Sequence, residues 1–387
     1  MYVCRNSCIR RAYSRAPNPA QAASELFDAL HHPQPGLAVF FGSTDYNLHG
    51  LERELAARFG DIPLIGCTSA GEITPAGYQS GTVTGFMLTG PDFATVSTPI
   101  DNLRKFSILQ SHEIVRSLRH ELDQTSAGLP PDNTFALLLI DGLCKCEEIV
   151  VSSLSAALGD IPLIGGSSGG DLAFQSSYVF HSGRFHTDSA VLVLIRTRLP
   201  FKLFTTDHFV SADTKMVVTE ADPVARIVSE INAEPAGREY ARLLGLGEDK
   251  LTPMVFATHP VVVKVGGRYY TRSIQKMNDD GSLSFFCAID KGIVLTVAKG
   301  TDILENIRGL FDRINIQVGP PQLVIGCECV LRTLELEQKQ LKSAAGRLLS
   351  ENNVVGFSSF GEQYHSMHVN QTFSGAAIGI GVVQRSL

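Results

Sequence analysis

The run GDIPLIGCTSAGEI begins at Gly60, and GDIPLIGGSSGGDL begins at Gly159. A fainter version, NNVVGFSSFGE, begins at Asn352. A chain that writes one passage three times must give each copy similar surroundings, and this constrains the fold more than any other feature. The flanks repeat as well. In the first copy LAVFFGS (37–43) reads as a buried strand meeting a turn. LHGLERELAARFG then places Leu48, Leu51, Leu55 and Phe59 at helical spacing, with Gly60 as a stop. IPLIGCTSAGE follows as a strand entering a glycine-rich turn, and GTVTGFMLTG as another strand. The second copy runs FALLLIDGL, EEIVVSSLSAALG, IPLIGGSSGG, SAVLVLIRT; the third runs QLVIGCECV, LELEQKQLKSAAGRLLSE, VVGFSSFGE, GAAIGIGVV. The repeating unit is β-α-β-turn-β. One such unit cannot bury its sheet face alone, so the copies should pack around a shared core. The expected fold class is α/β, in the mixed α+β sense: repeated β-α-β-β units around mixed sheets, in two domains. Ile65, Ile164 and Val355 should occupy equivalent buried strand positions, and Gly66, Gly165 and Gly356 should begin equivalent turns.

Between about Phe201 and Asp312 the pattern changes. ADPVARIVSEIN and GREYARLLGL read as helices, and the alternating stretch from Pro253 turns at Asn278-Asp279-Asp280-Gly281 like an antiparallel hairpin. TDILENIRGLFDRI returns to helix, with Thr301 or Asp302 as N-cap. The least structured connection falls near Arg198 to Asp222. Domains of 1–210, holding two repeats, and 211–387, holding the third, follow from that boundary.

The repeat also tests a tempting motif. Gly165-Gly166-Ser167-Ser168-Gly169 matches the G-x-S-x-G nucleophile elbow of hydrolases. The equivalent positions read GCTSA and GFSSF, which do not match, yet all three keep a pair of small hydroxyl residues. A turn needing small, self-bonding side chains explains every copy; a catalytic serine explains one. No catalytic residue is assigned, and the chain is read as a non-enzyme. Phosphate binding by these turns lacks its usual motif, since neither G-x-x-x-x-G-K-[ST] nor a helix-opening G-x-G-x-x-G is present.

The most polar-patterned stretch is GEQYHSMHVNQTFSG, residues 361–375. If HVNQTF is extended, His368, Asn370 and Thr372 share one face, and Val369 and Phe373 the other. Such a row reads either as a polar network closing a sheet or as a pocket wall offering an imidazole. Glu362 and Tyr364 stand next to this row, and His365 falls on the opposite face if the strand already extends that far. His259 precedes Pro260 at a strand start, His181 and His186 flank the turn HSGRFH, and no specific metal-binding spacing occurs.

A net charge of −6 with scattered Lys and Arg argues against nucleic-acid binding. No apolar run is long enough to span a bilayer, and the basic start MYVCRNSCIRRAYSRAPNP lacks the apolar stretch of a signal peptide. A cytoplasmic location is expected. The 8 cysteines include Cys4-x3-Cys8, Cys144-x-Cys146 and Cys327-x-Cys329 but no C-x-x-C, which excludes covalent haem attachment and favours free thiols. Redox or metal sensing by these pairs is the sharper alternative.

At these residues the chain resembles the FIST family of bacterial signal-transduction sensor proteins. PLIGCTSAGEI resembles the hallmark of the family's N-terminal domain, and GREYARLLGL, VVGFSSFGEQY and MHVNQTFSGAAIGI resemble its C-terminal domain. No kinase, cyclase or receiver segment is attached, so the resemblance implies a stand-alone sensor. It is similar to the nitric oxide sensing members of that family (NosP), which bind haem b noncovalently and regulate a histidine kinase or a diguanylate cyclase or phosphodiesterase. His368 is the first-ranked axial ligand under this reading, with His259, His365 and Tyr364 as alternatives and Asn370 beside the bound group. The competing reading is a haem-free module that binds a small ligand, such as an amino acid, or a partner protein.

Overall fold

The computed structural model describes residues 8–265 and 267–380. Unit 1 comprises β1 (Ile9–Ser14), α1 (Pro19–Leu30), β2 (Leu37–Ser43), α2 (Leu48–Phe59), β3 (Leu64–Ser69), the hairpin β4 (Glu72–Thr74) and β5 (Gly77–Gln79), and β6 (Val83–Leu88). Unit 2 repeats it as β7 (Phe93–Asp101), α3 (Ile108–Thr125), β8 (Thr134–Ile140), α4 (Glu147–Leu158), β9 (Leu163–Ser167), the hairpin β10 (Val179–His181) and β11 (Arg184–His186), and β12 (Ser189–Thr197).

Unit 3 opens with β13 (Phe201–Thr206) and is then interrupted. The insertion holds β14 (Phe209–Asp222), β15 (Ile227–Ile231), β16 (Glu234–Pro235), α5 (Ala236–Leu244) and α6 (Pro253–Thr258), then β17 (Val261–Val265), β18 (Arg268–Arg272), β19 (Ile274–Met277), β20 (Leu283–Phe285) and β21 (Val294–Gly300). The unit resumes with α7 (Ile303–Val318), β22 (Pro321–Cys329), α8 (Val330–Gln338), α9 (Lys342–Glu351) and β23 (Val354–Ser359). It closes with the hairpin β24 (Glu362–Tyr364) and β25 (Met367–Val369), and β26 (Phe373–Gly379).

The three units build the same sheet, ordered β1-β6-β2-β3, β7-β12-β8-β9 and β13-β26-β22-β23. Each sheet is completed by a hairpin from another unit, in a cycle. The hairpin of unit 2 joins β3, that of unit 3 joins β9, and that of unit 1 joins β23. The central strands of each sheet, such as β2, β6 and β8, are buried on both faces, which explains why they read as continuous apolar runs. In β2, Ala38 and Phe40 face α1 and α2, while Val39 and Phe41 enter a central core. Leu137, Leu139, Ile325 and Phe357 from the other units meet them there, and Phe41 stacks on Phe357 at 4.6 Å.

Ile65, Ile164 and Val355 are equivalent and buried, as the repeat requires. The glycines after them do not begin turns; they lie within β3, β9 and β23. Gly66 pairs with Phe40, Gly165 with Leu138 and Gly356 with Gly326 on the parallel neighbour. A Cβ there would sit 2.4, 2.1 and 1.8 Å from the carbonyl oxygens of those partners. Close strand approach is thus what keeps glycine in every copy.

Other expectations need correction. ADPVARIVSEIN is a turn and strand: Asp222 accepts the amides of Val224 and Ala225, and Arg226, Asn232 and Ala233 adopt positive φ. The connection near 198–222 contains β13 and β14, and the expected single helix after β22 is broken at Gln340 (φ 59). HVNQTF is not one strand, because β25 ends at Val369 and Gln371 turns at φ 53. The helix GREYARLLGL, the hairpin turn at 278–281 and the Asp302 N-cap are all present.

Candidate functional site

The hairpin of unit 3 is held by Glu362. Its Oε1 accepts Ser359 Oγ at 2.5 Å, and its Oε2 accepts Thr372 N at 3.3 Å and Thr372 Oγ at 2.6 Å. Glu72 does the same in unit 1, accepting the hydroxyl of Ser69 and both Thr82 N and Oγ, at 3.0 and 2.8 Å. These bonds pull Thr372 out of the row with His368, which is why the polar strand breaks.

On this frame the three hairpins align. Across the ribbon, Ile73 faces Tyr78 in unit 1 and Phe180 faces Phe185 in unit 2. In unit 3 the corresponding pair is Gln363 and His368, 0% and 3% exposed. Gln363 Nε2 donates to Ser167 Oγ at 2.9 Å and lies 3.4 Å from His368 Nδ1. The Ser167 hydroxyl is therefore held by an amide, with no imidazole bonded to it. Among the described residues, Gln363 Oε1, His368 Nε2, both amide atoms of Asn370 and Gln371 Oε1 are buried with no hydrogen-bond partner. A Cβ on Gly361 would lie 2.8 Å from His368 Nε2 and 2.9 Å from Asn370 Nδ2, so glycine is what lets imidazole and amide converge there.

Charge surrounds this group. The first turn of α4 supplies Glu147 and Glu148, and the β14–β15 turn supplies Arg226. Arg226 Nη2 donates to Glu147 at 2.6 Å and Glu148 at 2.5 Å, and Nη1 to the Phe286 carbonyl at 2.6 Å. Burial lowers the pKa of His368 against the pull of both carboxylates, so its imidazole is neutral near neutral pH. Gln371 Nε2 donates to the carbonyls of Phe256 and Ala257 at 3.3 and 3.0 Å, so α6 of the insertion covers the hairpin.

His368 and Asn370 thus share one buried site, and the other sequence candidates lie elsewhere. Tyr364 and His365 line a groove of about 380 Å³ with Tyr269, Tyr270 and Met367. His365 sits exposed on the hairpin turn at φ 53, its pKa lowered by partial burial and then by Lys202. His259 ends α6 beside a different groove, lined with Glu335 and Lys339. Sequence reasoning missed Gln363, Gln371, Glu147, Glu148 and Arg226. Alignment of the hairpins within the chain would have found Gln363, an amide where the other copies carry Ile73 and Phe180; Arg226 had no local signal.

Cys8, Cys67, Cys144, Cys146, Cys287, Cys327 and Cys329 are free thiols, and Cys4 lies outside the described residues. Cys67 and Cys327 are wholly buried in the central core, where burial pushes both thiols up. Among the described residues no helix is long and apolar enough to cross a membrane.

An uncharacterized protein of Methanocaldococcus jannaschii is 24% identical over 281 residues, which cover 63% of this chain and 54% of that protein. The chain spans about half the length of that relative. The sequence model of the FIST N domain matches residues 36–234, and that of the FIST C domain matches residues 236–365. With both domains matched in order along most of its length, the chain belongs to the FIST family.

Proposed function

We propose that this protein is a signalling sensor whose stimulus is a small polar molecule of the amino-acid class, bound where the unit 3 hairpin, the start of α4 and the insertion meet. FIST domains are signalling sensor modules. The observation that carries the reading is the buried Gln363–His368 pair, at a place where the same fold accepts Ile73–Tyr78 and Phe180–Phe185. Buried polar atoms almost always have a partner, and each left unmet costs about 1–3 kcal/mol. A bound molecule accounts for keeping them.

The donor set suggests its chemistry. Gln363 Oε1, Asn370 Oδ1 and Gln371 Oε1 can only accept, and Glu147 and Glu148 lie near, which favours an ammonium. The Gln363 amide facing His368 Nδ1 leaves the imidazole proton on Nε2. That N–H and Asn370 Nδ2 suit a carboxylate. Binding would draw the insertion against unit 2, and a partner histidine kinase or cyclic-di-GMP enzyme would read the change; no turnover is involved.

The test restores the apolar pair. Gln363→Ile with His368→Phe should fold at least as stably as the parent and lose the thermal shift that the parent gives with its preferred amino acid. A double variant that responds like the parent would overturn the assignment.

Haem and nitric oxide form the second reading, and the residues at His368 do not fit that group. Neither ring nitrogen faces an apolar slot: Nδ1 faces Gln363, and Nε2 faces Gly361 and Asn370. For haem the candidate place is instead the groove beside Tyr269, Tyr270 and Met367, where Tyr364 and His365 offer ligand atoms. There His365 or Tyr364 would hold it, and its iron would supply the position for nitric oxide. Haem added to purified protein should then give a Soret band that moves in His365→Ala or in Tyr364→Phe; an unaltered band in both would remove this reading.

A further inference from the structure

The hairpin of unit 2 has its own peculiarity. Val179 pairs with His186 and His181 with Arg184, so both histidines project from one side of the ribbon as diagonal neighbours. Their rings stack, with centroids 4.0 Å apart and planes 3° from parallel. The end of β7 brings Asp101 to the same point. Ser189 pairs with Asp101 across the β7–β12 ladder and donates its hydroxyl to Asp101 Oδ1 at 2.8 Å. The same hydroxyl lies 2.8 Å from His181 Nε2, and Asp101 Oδ1 is 3.3 Å from that nitrogen. One donor atom from each of Asp101, His181 and His186 lies within 4.8 Å of the others. Among the described residues, His186 Nε2 is buried with no hydrogen-bond partner.

The fold does not ask for these imidazoles. The positions equivalent to His181 carry Thr74 and Tyr364, and those equivalent to His186 carry Gln79 and Val369, on hairpins of the same register. Stacking two imidazoles beside a carboxylate is a local addition to a scaffold that works without it.

We propose that Asp101, His181 and His186 bind a divalent transition-metal ion of the zinc class. Two imidazoles and one carboxylate suit zinc and its neighbours, and the nitrogen donors disfavour magnesium and calcium. A tetrahedral zinc holds its donors about 3.3 Å apart, so modest side-chain rotations close the cluster. Ser182 Oγ lies 3.3 Å from His181 Nδ1, which fixes the ring with Nε2 toward the ion. The Asp101 side chain is 54% exposed, and the cluster borders a groove of about 450 Å³ lined by Ser97, Pro99 and His181, giving the ion a path in. Three protein ligands leave a fourth position for water or an exchangeable ligand. The ion would tie the hairpin that unit 2 lends to the unit 1 sheet back to the edge strand of unit 2.

The test uses the full chain, stripped with a chelator and titrated near neutral pH with zinc by calorimetry and with cobalt by visible absorption. One ion per chain, a higher Tm with zinc and cobalt bands of low symmetry are expected. His181→Ala and His186→Ala should each lose that ion, and Asp101→Asn, a change at an exposed side chain, should weaken it at least about ten-fold. Absence of saturable binding at micromolar metal would overturn the site, and so would full stoichiometry in both histidine variants. If the histidine variants do not fold, parental affinity in Asp101→Asn would overturn it equally.

Discussion

Gly66, Gly165 and Gly356 show how one atom can fix a residue type. No turn requires them; a neighbouring carbonyl stands where a Cβ would go, 1.8 Å away in the tightest case. Gly165→Ala is expected to destabilise the chain by about 3 kcal/mol, because the backbone of a central strand must move. Urea unfolding checks it, and a change under about 1 kcal/mol would show that the strands can part cheaply. Asp302 acts at a helix end, accepting the amides of Leu304 and Glu305 at 2.8 and 2.9 Å. Asp302→Ala should cost about 1 kcal/mol, read as a lower Tm.

At the scale of the element, the hairpins depend on buried carboxyls. Burial raises Glu72 from 4.5 to about 7 and Glu362 to about 8, against the hydroxyls and amides that would lower them. Both groups bind their proton more tightly in the folded chain. Their contribution is full below about pH 4.5, declines as pH rises through about 7 and 8, and is flat beyond. Glu72→Gln with Glu362→Gln should therefore show a shallower loss of stability than the parent between pH 5 and 8, measured by denaturant unfolding across that range. Equal slopes would mean that the carboxyls ionise freely in place. Glu362→Ala, which removes three accepted bonds at once, should unfold the hairpin and expose the Gln363 site to solvent.

Across the whole molecule, the units are joined by exchanged hairpins and by buried ion pairs. Arg226 ties the insertion to α4 of unit 2 through Glu147, and both are nearly fully buried. Arg226→Ala leaves Glu147 without its countercharge and should cost about 3 kcal/mol or more. Adding Glu147→Gln should recover part of that loss in a double-mutant cycle; simple additivity would show that the pair is not coupled. A second network links the β13–β14 connection to α8. His208 lies 2.9 Å from Glu335, its other nitrogen accepts Arg332 Nη1 at 2.8 Å, and Arg332 donates to Glu328 at 3.0 Å. Arg226 thus anchors the insertion to unit 2, and His208 fixes the point where the chain leaves unit 3 to enter the insertion.

The repeating unit, its apolar strands, most of its helices and the equivalence of Ile65, Ile164 and Val355 were legible in the order of amino acids, because period and composition are local properties of the chain. That order also placed His368 and Asn370 in one polar group. It could not show which unit each hairpin would complete, since strand pairing across about a hundred or more residues leaves no local mark. For the same reason Glu147, Glu148 and Arg226 became neighbours of His368 only in three dimensions. ADPVARIVSEIN has a helical spacing that its turn and its sheet partners override. Tertiary structure also separated Tyr364 from His368: the ribbon pairs His368 with Gln363 on one face, while Tyr364 pairs with Met367 on the other, toward an open groove.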